Sequence, residues 1–437
     1  MSRHTLTRTA YICFAIAIVA AQAFGADETV PQRIFLGIGA DPAHTQPVTW
    51  RTTAAVEAPQ AQIAAWSADP GFEKSATTVN ATATPVTIAD GVQVTHYEAN
   101  FESLEPAKDY AYRVGDGKTW SEWNHFRTAA ATAEPFRFIY LGDAQRGVKT
   151  LWSRVVREAV LHAPDARFLL HAGDLVEEGY NDAQWGEWCY GVGFIGERYP
   201  NIVAVGNHDM NLPENDPNAN RPVGVSPLWH AHFAFPKNGP ADTPALDEEA
   251  YTFDYQGVRF IVIEANAFAQ FENYDPETRK VVQAKEVPWV EGLLKNNPNR
   301  WTVILQHEPL YQAGKNPDNP PLRDALLPLF DKYRVDLVLQ GHDHTYARSK
   351  KLAGGKEVAA NEPGTVYVVS VSGSRMYPTN PKYQPLMAKT LANAQTYQTV
   401  DVNNDRLRYE SYGVDGTKVD SFELSKDAKG NTTYAEK

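Results

Sequence analysis

The stretch Val335-Asp336-Leu337-Val338-Leu339-Gln340-Gly341-His342-Asp343-His344 decides how this chain is read. An apolar run that rises to a glycine and then to two histidines predicts a buried strand ending in a tight turn. Imidazoles two residues apart beyond a strand end can both point into one crevice. Alone, His-x-His is a weak signal, because two structural histidines would serve as well. Four other apolar runs end in the same way. Phe136-Arg137-Phe138-Ile139-Tyr140-Leu141 leads to Gly142-Asp143-Ala144-Gln145, and Ala166-Arg167-Phe168-Leu169-Leu170 to Gly173-Asp174. Asn201-Ile202-Val203-Ala204-Val205 meets Gly206-Asn207-His208-Asp209, and Trp301-Thr302-Val303-Ile304-Leu305 stops at Gln306-His307. In an open α/β sheet the ligand crevice lies at the carboxyl ends of the strands, so the five sets are expected to converge.

The 437 residues exceed the usual size of one domain, and two domains are expected. With 43% hydrophobic and 22% charged residues the composition is that of a soluble globular protein, and 29 prolines with 21 tyrosines point to many loops and much β-structure. Residues 1–25 read as a signal peptide: Arg3 and Arg8 precede an apolar stretch from Tyr11 to Ala21, followed by the small-x-small site Ala21-Gln22-Ala23. A secreted or periplasmic protein with no membrane attachment after cleavage is the expectation. Cleavage removes Arg3 and Arg8 and no acid, which takes the formal charge from −12 to −14. Such a surface repels nucleic acid, and no basic stripe with interleaved aromatics is present. Only Cys189 remains in the mature chain, so an intrachain disulfide is ruled out and a buried apolar role is expected.

Residues 27–130 alternate apolar and polar positions in short runs, among them Ile34 to Ile38, Pro47 to Trp50, His96 to Phe101 and Tyr110 to Val114. This predicts an antiparallel β-sandwich whose last strand is Asn124 to Thr128. Ala129 to Pro135 is small, Ala/Thr-rich and suits a linker. From residue 134 to 437 strands alternate with helical spacing, at Val148 to His162, Gln283 to Asn297 and Pro321 to Tyr333, as in an α/β domain. The polar, Pro/Asn-rich stretches Asn211 to Pro227 and Tyr311 to Pro321 follow ligand strands, where substrate loops are expected.

Asp143, Asp174, Asn207, His307, His342 and His344 offer carboxylates, an amide oxygen and imidazoles, a donor set suited to two divalent or mixed-valence ions. Two ions ~3.5–4 Å apart are the arrangement for hydrolysis. In this order, Gly-Asp-x-Gln, Gly-Asp, Gly-Asn-His-Asp, His and Gly-His-x-His resemble the calcineurin-like metallophosphoesterases. Pro47-Val48-Thr49-Trp50-Arg51-Thr52 and Tyr110-Ala111-Tyr112-Arg113-Val114-Gly115 resemble the fibronectin-III-like module of the purple acid phosphatases, and Gly341-His342-Asp343-His344-Thr345-Tyr346 is similar to that branch too.

The resemblance implies a fibronectin-III-like β-sandwich followed by an α/β metallophosphoesterase domain of two mixed sheets flanked by helices. It implies that Asp143 and His344 bind the first metal, that Asp174 bridges, and that Asn207, His307 and His342 bind the second. Fe, Mn and Zn are the candidate metals. His208 would face a small phosphate-ester substrate, stabilising the phosphoryl group or protonating the leaving oxygen. Asp209 would orient the His208 ring or cap a helix. The activity implied is phosphoric ester hydrolysis, with a phosphomonoesterase of acid-phosphatase type first. A phosphodiesterase or nucleotidase on the same centre is the alternative, and a non-catalytic secreted binding protein the second.

Two positions depart from the purple pattern. The metal-bound tyrosine expected three residues after the bridging aspartate is Glu177, and the glycine two residues after the first aspartate is Gln145, where other branches carry histidine. An amide oxygen at Gln145 is preferred as the completing ligand of the first site, since Glu177 would add a buried negative charge. His230 and His232 in an aromatic stretch, His162 and His171 are expected to be structural. Arg146, Tyr311 and Arg375 stand close to motif ends, where contact with phosphate and a packed or solvated role are both open.

The purple colour of that family comes from charge transfer between a tyrosinate and iron(III), and a carboxylate at 177 has no such donor orbital. The metal-loaded protein is therefore expected to be colourless or faintly coloured in a visible absorption spectrum. An intense band that disappears in Tyr180→Phe would place the tyrosinate at Tyr180 instead.

Overall fold

The computed structural model describes residues 28–88, 91–211, 224–269 and 274–437. The signal peptide and most of the loop expected over 211–227 lie outside the described residues. Alternation along the first strands decides which way each side chain faces. Ile34 and Leu36 point into one core and Phe35 away from it; Val48 and Trp50 point inward while Thr49 and Arg51 point out. The inward set closes a sandwich of two antiparallel sheets. One holds Gln32–Leu36, Gln46–Thr52, Gln93–Phe101 and Thr82–Thr87; the other holds Thr77–Asn80, Gln60–Ala65, Asp109–Gly115 and Asn124–Arg127. Thr77–Asn80 and Thr82–Thr87 escaped the sequence reading because these strands are mostly exposed, so no apolar alternation marks them.

The outward set binds the sandwich to the rest of the chain. Thr49 Oγ1 donates to the His232 carbonyl at 2.6 Å, and the His96 Nδ1 lies 2.9 Å from the Ala231 carbonyl. Arg33 and Arg51 both reach the Asp182 carboxylate, at 2.7 and 2.9 Å, and Phe35 packs on Trp188 with ring centroids 5.1 Å apart. Asp182 opens the helix Asp182–Val192, where a negative charge also suits the exposed backbone N–H groups. His232 stacks on Trp185 and Cys189 is buried and free, so both keep the packing roles expected of them.

Two seven-stranded mixed sheets form the second domain. The first runs Asn201–Val203, Leu169–His171, Phe136–Leu141, Thr396–Asn403, Arg406–Gly413, Lys418–Lys426, Thr432–Glu436; the second runs Tyr251–Tyr255, Val258–Ile263, Trp301–Gln306, Leu337–Gln340, Val366–Val369, Tyr346–Ser349, Met387–Leu391. The sheets meet face to face through aromatic contacts such as Phe138 with Phe260, 5.5 Å between centroids. Helices Ser153–His162, Pro276–Lys295 and Pro320–Tyr333 flank them. The long helix starts seven residues before the expected position, because Asp275 caps it by accepting from the Glu277 and Thr278 N–H groups and Pro276 occupies its first turn. No helix among the described residues is long and apolar enough to cross a membrane.

Under that helix three buried carboxyls gather. Glu286 accepts from the Glu264 N–H at 2.8 Å, Glu264 accepts from Asn266 and Ala267, and Glu249 accepts from the Tyr274 hydroxyl at 2.8 Å. Burial, then the charge of Glu249, pushes Glu264 up to about 8; burial, then Glu264, pushes Glu286 well above the usual carboxylate range. A carboxyl whose folded value is raised holds its proton more tightly when folded, so stability falls as pH rises from the ordinary 4.5 through about 8. Glu286→Gln mimics the protonated form. It is expected to match the parent near pH 5 and to exceed it by on the order of 1–3 kcal/mol at pH 8. Urea denaturation at the two pH values measures this, and a difference that does not change with pH would overturn it.

Candidate metal centre

Each expected ligand sits just past the carboxyl end of a parallel strand. Asp143, Asp174 and Asn207 follow Phe136–Leu141, Leu169–His171 and Asn201–Val203 of one sheet; His307 and the pair His342 and His344 follow Trp301–Gln306 and Leu337–Gln340 of the other. The facing sheets are pinned together beside the centre by the Tyr140 hydroxyl, which donates to the Gln340 carbonyl and accepts from the Gln340 N–H at 2.9 Å. Glycines before the ligands let the turns approach. A β-carbon on Gly206 would lie 2.1 Å from the Asp174 nitrogen, and one on Gly341 would lie 2.6 Å from the Ala172 carbonyl. Asp143, Asp174 and His342 themselves adopt positive φ, at 50°, 51° and 67°. Three strained non-glycine residues at one site mark a place where backbone comfort is given up for ligand geometry.

Two donor groups emerge. Asp174, His307 and His342 form one, Asp143, Asp174 and His344 the other; within each, the donor atoms all lie within 4.8 Å of one another. Asp174 belongs to both. The Asn207 Oδ1 joins the first group, 2.9 Å from His342 Nδ1 and 3.1 Å from His307 Nε2. His307 donates from Nδ1 to the Ala172 carbonyl at 2.7 Å, which turns Nε2 toward the centre, an outer contact typical of ligating histidines.

The electrostatics ask for cations. Asp143 Oδ2 and His344 Nδ1 are buried without a hydrogen-bond partner. Burial drives Asp143 well above the usual carboxylate range, with the Asp174 charge adding to it. Burial opposes a proton on His307, but Asp174 and Asp143 outweigh it and raise this imidazole to about 10. Burial pushes His344 down to about 3 and His342 well below its ordinary value, leaving both neutral, as ligation requires. Orphaned ligand atoms, the two neutral imidazoles of His342 and His344 and a carboxylate common to both groups fit a pair of metal ions.

Asp209 does not orient His208. Its carboxylate accepts three backbone N–H groups, from Asp174, Leu175 and Gly206, all at 2.9 Å, and so ties two ligand turns together. This is the capping alternative. The His208 ring is held by Glu177 instead, with Nδ1 2.7 Å from that residue's carbonyl, while the His208 N–H donates to Asp174 Oδ1 at 2.8 Å.

Gln145 also differs from expectation. Arg375 can only donate and the Asp174 carboxylate can only accept, so the amide orientation is determined. Oε1 faces Arg375 at 3.2 Å and Nε2 donates to Asp174 Oδ2 at 2.8 Å. Gln145 therefore presents its NH₂ group, not an amide oxygen, to the centre. Glu177 stands outside both donor groups, with Oε1 2.6 Å from Arg146 and Oε2 buried without a hydrogen-bond partner. Two buried carboxyls were missed by the sequence reading. Glu308 places Oε1 3.4 Å from His342 Nδ1, and Asp343 Oδ2 accepts the Ala313 and Gly314 N–H groups. Their adjacency to ligand histidines was the available signal. His171, His162, His230 and Tyr311 have other partners: Asn201, Tyr412, Glu249 and Tyr367.

Residues 31–128 match the family described as "Purple acid Phosphatase, N-terminal domain", and residues 136–346 match "Calcineurin-like phosphoesterase". Similar proteins include an uncharacterized protein of Mycobacterium tuberculosis, 26% identical over 66% of this chain and 59% of its own length. Acid phosphatase type 7 of Danio rerio is 27% identical over 56% of this chain and 55% of its own, and a purple acid phosphatase of Glycine max 24% identical over 61% and 57%. The chain thus spans less than two thirds of the length of these relatives. The purple acid phosphatase PPD1 from yellow lupin seeds has the same fold, with a TM-score of 0.72 at 18% identity over 92% of this chain and 75% of that one.

Replacing Asp209 by Ala leaves three backbone N–H groups without their acceptor. The expected loss is on the order of 3–5 kcal/mol of stability, with reduced metal retention because the Asp174 and Asn207 turns come apart. Denaturation and elemental analysis of Asp209→Ala measure both; a variant as stable as the parent would show that the clamp does not matter.

Proposed function

The chain belongs to the calcineurin-like metallophosphoesterases, in the branch with a purple acid phosphatase N-terminal domain, and on that footing we propose a phosphomonoesterase of acid-phosphatase type with a dinuclear metal centre. The observation that carries this reading is Asp174, one buried carboxylate shared by two candidate donor groups. Asp143, Asp174 and His344 would hold one ion; Asp174, Asn207, His307 and His342 would hold the other. When bound, two such ions supply Lewis acidity and a nucleophile for attack on phosphorus. Fe, Mn or Zn suits this mixed oxygen and nitrogen set.

The remaining work falls to the chain itself. Asn207 and His342 are the slightly exposed ligands, and His208 is half-buried beside them, so the open side of the centre lies here. With Nδ1–H donating to the Glu177 carbonyl, His208 keeps Nε2 for a proton that can pass to the leaving oxygen. The relatives named as acid phosphatases support a monoester substrate. The leader read in residues 1–25 supports a secreted or periplasmic site of action.

Active protein is expected to contain two ions per chain, to lose activity with a chelator, and to hydrolyse 4-nitrophenyl phosphate faster than bis(4-nitrophenyl) phosphate. At most one ion in active protein would defeat the dinuclear reading, and a faster diester would make it a phosphodiesterase. His208→Ala should retain both ions and slow turnover by about 10²–10⁴-fold.

A further inference from the structure

Glu177 occupies the position where the purple pattern has its metal-bound tyrosine, yet one of its carboxylate oxygens is engaged by arginines. Oε1 lies 2.6 Å from Arg146 Nη2 and 3.7 Å from Arg375 Nη1. Arg375 in turn touches Gln145, and Gln145 touches the bridging Asp174. A continuous polar chain therefore runs from the 57% exposed Arg146 down to the metal ligands. A third cation stands beside it: Lys315 lies 4.2 Å from the centroid of Tyr377, whose ring is 4.8 Å from that of His344. Three cations and one carboxylate thus share the rim above the Asp143–Asp174–His344 group, in a chain whose formal charge is −12.

The Arg375 Nε and Nη2 atoms make no hydrogen bond among the described residues. Arg146 is 57% exposed and Glu177 22%, and a partly exposed ion pair of this kind contributes little net stability. A guanidinium fork fits phosphate as well as carboxylate, and a phosphate dianion carries twice the charge of the Glu177 side chain.

We propose that Arg146, Arg375 and Lys315 form a second anion subsite that takes a further phosphate of the substrate, with Glu177 holding the arginines in place until that phosphate displaces it. The preferred substrates are then multiply phosphorylated esters, one phosphate at the metal centre and another at the rim. This rests on the phosphatase reading above.

The test compares a sugar bisphosphate with its monophosphate, fructose 1,6-bisphosphate against fructose 6-phosphate, by phosphate release from metal-replete protein. The wild type is expected to favour the bisphosphate at least tenfold in kcat/KM, mostly through KM. Arg146→Ala and Arg375→Ala should reduce that preference to about threefold or less, and Glu177→Gln should enlarge it. Opposite signs for the arginine and glutamate variants are not produced by a packing role. Arg375→Lys, which keeps the charge, should restore part of the preference and guards against misfolding of the alanine variant. Equal efficiency on the two esters, or a preference unchanged in both alanine variants, overturns the subsite alone. Failure to hydrolyse either ester, with both ions bound, defeats the phosphatase reading and the subsite with it.

Discussion

One buried carboxylate, Asp174, is the constraint on which the second domain is built. Its Oδ1 accepts the His208 N–H and lies 3.4 Å from His307 Nε2; its Oδ2 accepts from Gln145; its own N–H is held by Asp209. A negative charge in that position is tolerable only among donors and cations, since burial alone opposes it. His307 and His208 outweigh the burial and hold Asp174 well below the usual carboxylate range. The five strand ends, the glycines that let their turns touch, and the three positive-φ ligands all serve to surround this group.

The sandwich domain meets the second domain through packing, hydrogen bonds and ion pairs. Its outward face supplies Arg33, Arg51, Phe35 and Thr49 to Asp182, Trp188 and the His232 segment. Asp182 is the first residue of the helix that follows the Asp174 turn, so the two arginines also brace the far end of that turn. Exchanging Asp182 for an apolar residue would leave two guanidinium groups facing each other, which gives this ion pair a cost of removal larger than its net contribution.

Around the ligands an outer layer sets the character of the centre. The Asp143–Asp174–His344 group lacks the tyrosine of the purple pattern. Its place is taken by a chain of hydrogen bonds and ion pairs through Gln145, Arg375, Glu177 and Arg146. On the opposite side, Glu308 adds a carboxylate beside His342. Asp343, lying between two ligand histidines in sequence, anchors the turn at Ala313 and Gly314. Neither side consists of ligands alone, and the polarity of both is decided at some distance along the chain.

Strand ends marked by glycine followed by a ligand residue were legible in the chain, because a buried parallel strand is an unbroken apolar run and the turn after it needs glycine. From these came the α/β domain and the five residues that meet around Asp174, while the alternating short runs of residues 27–130 pointed to the sandwich. Polar edge strands at Thr77–Asn80 and Thr82–Thr87, and the aromatic helix Asp182–Val192, carry no such periodicity and were found only in the fold. The roles of Gln145, Asp209 and Glu177 likewise depended on tertiary structure. Each is a side chain with two or more chemically reasonable partners, and the choice among them was made by groups 29 to 230 positions away: Arg375 and Asp174 for Gln145, the Asp174 and Leu175 N–H groups for Asp209, and Arg146 for Glu177. Local sequence decides which donors a turn can offer; only the packed fold decides which of them face one another.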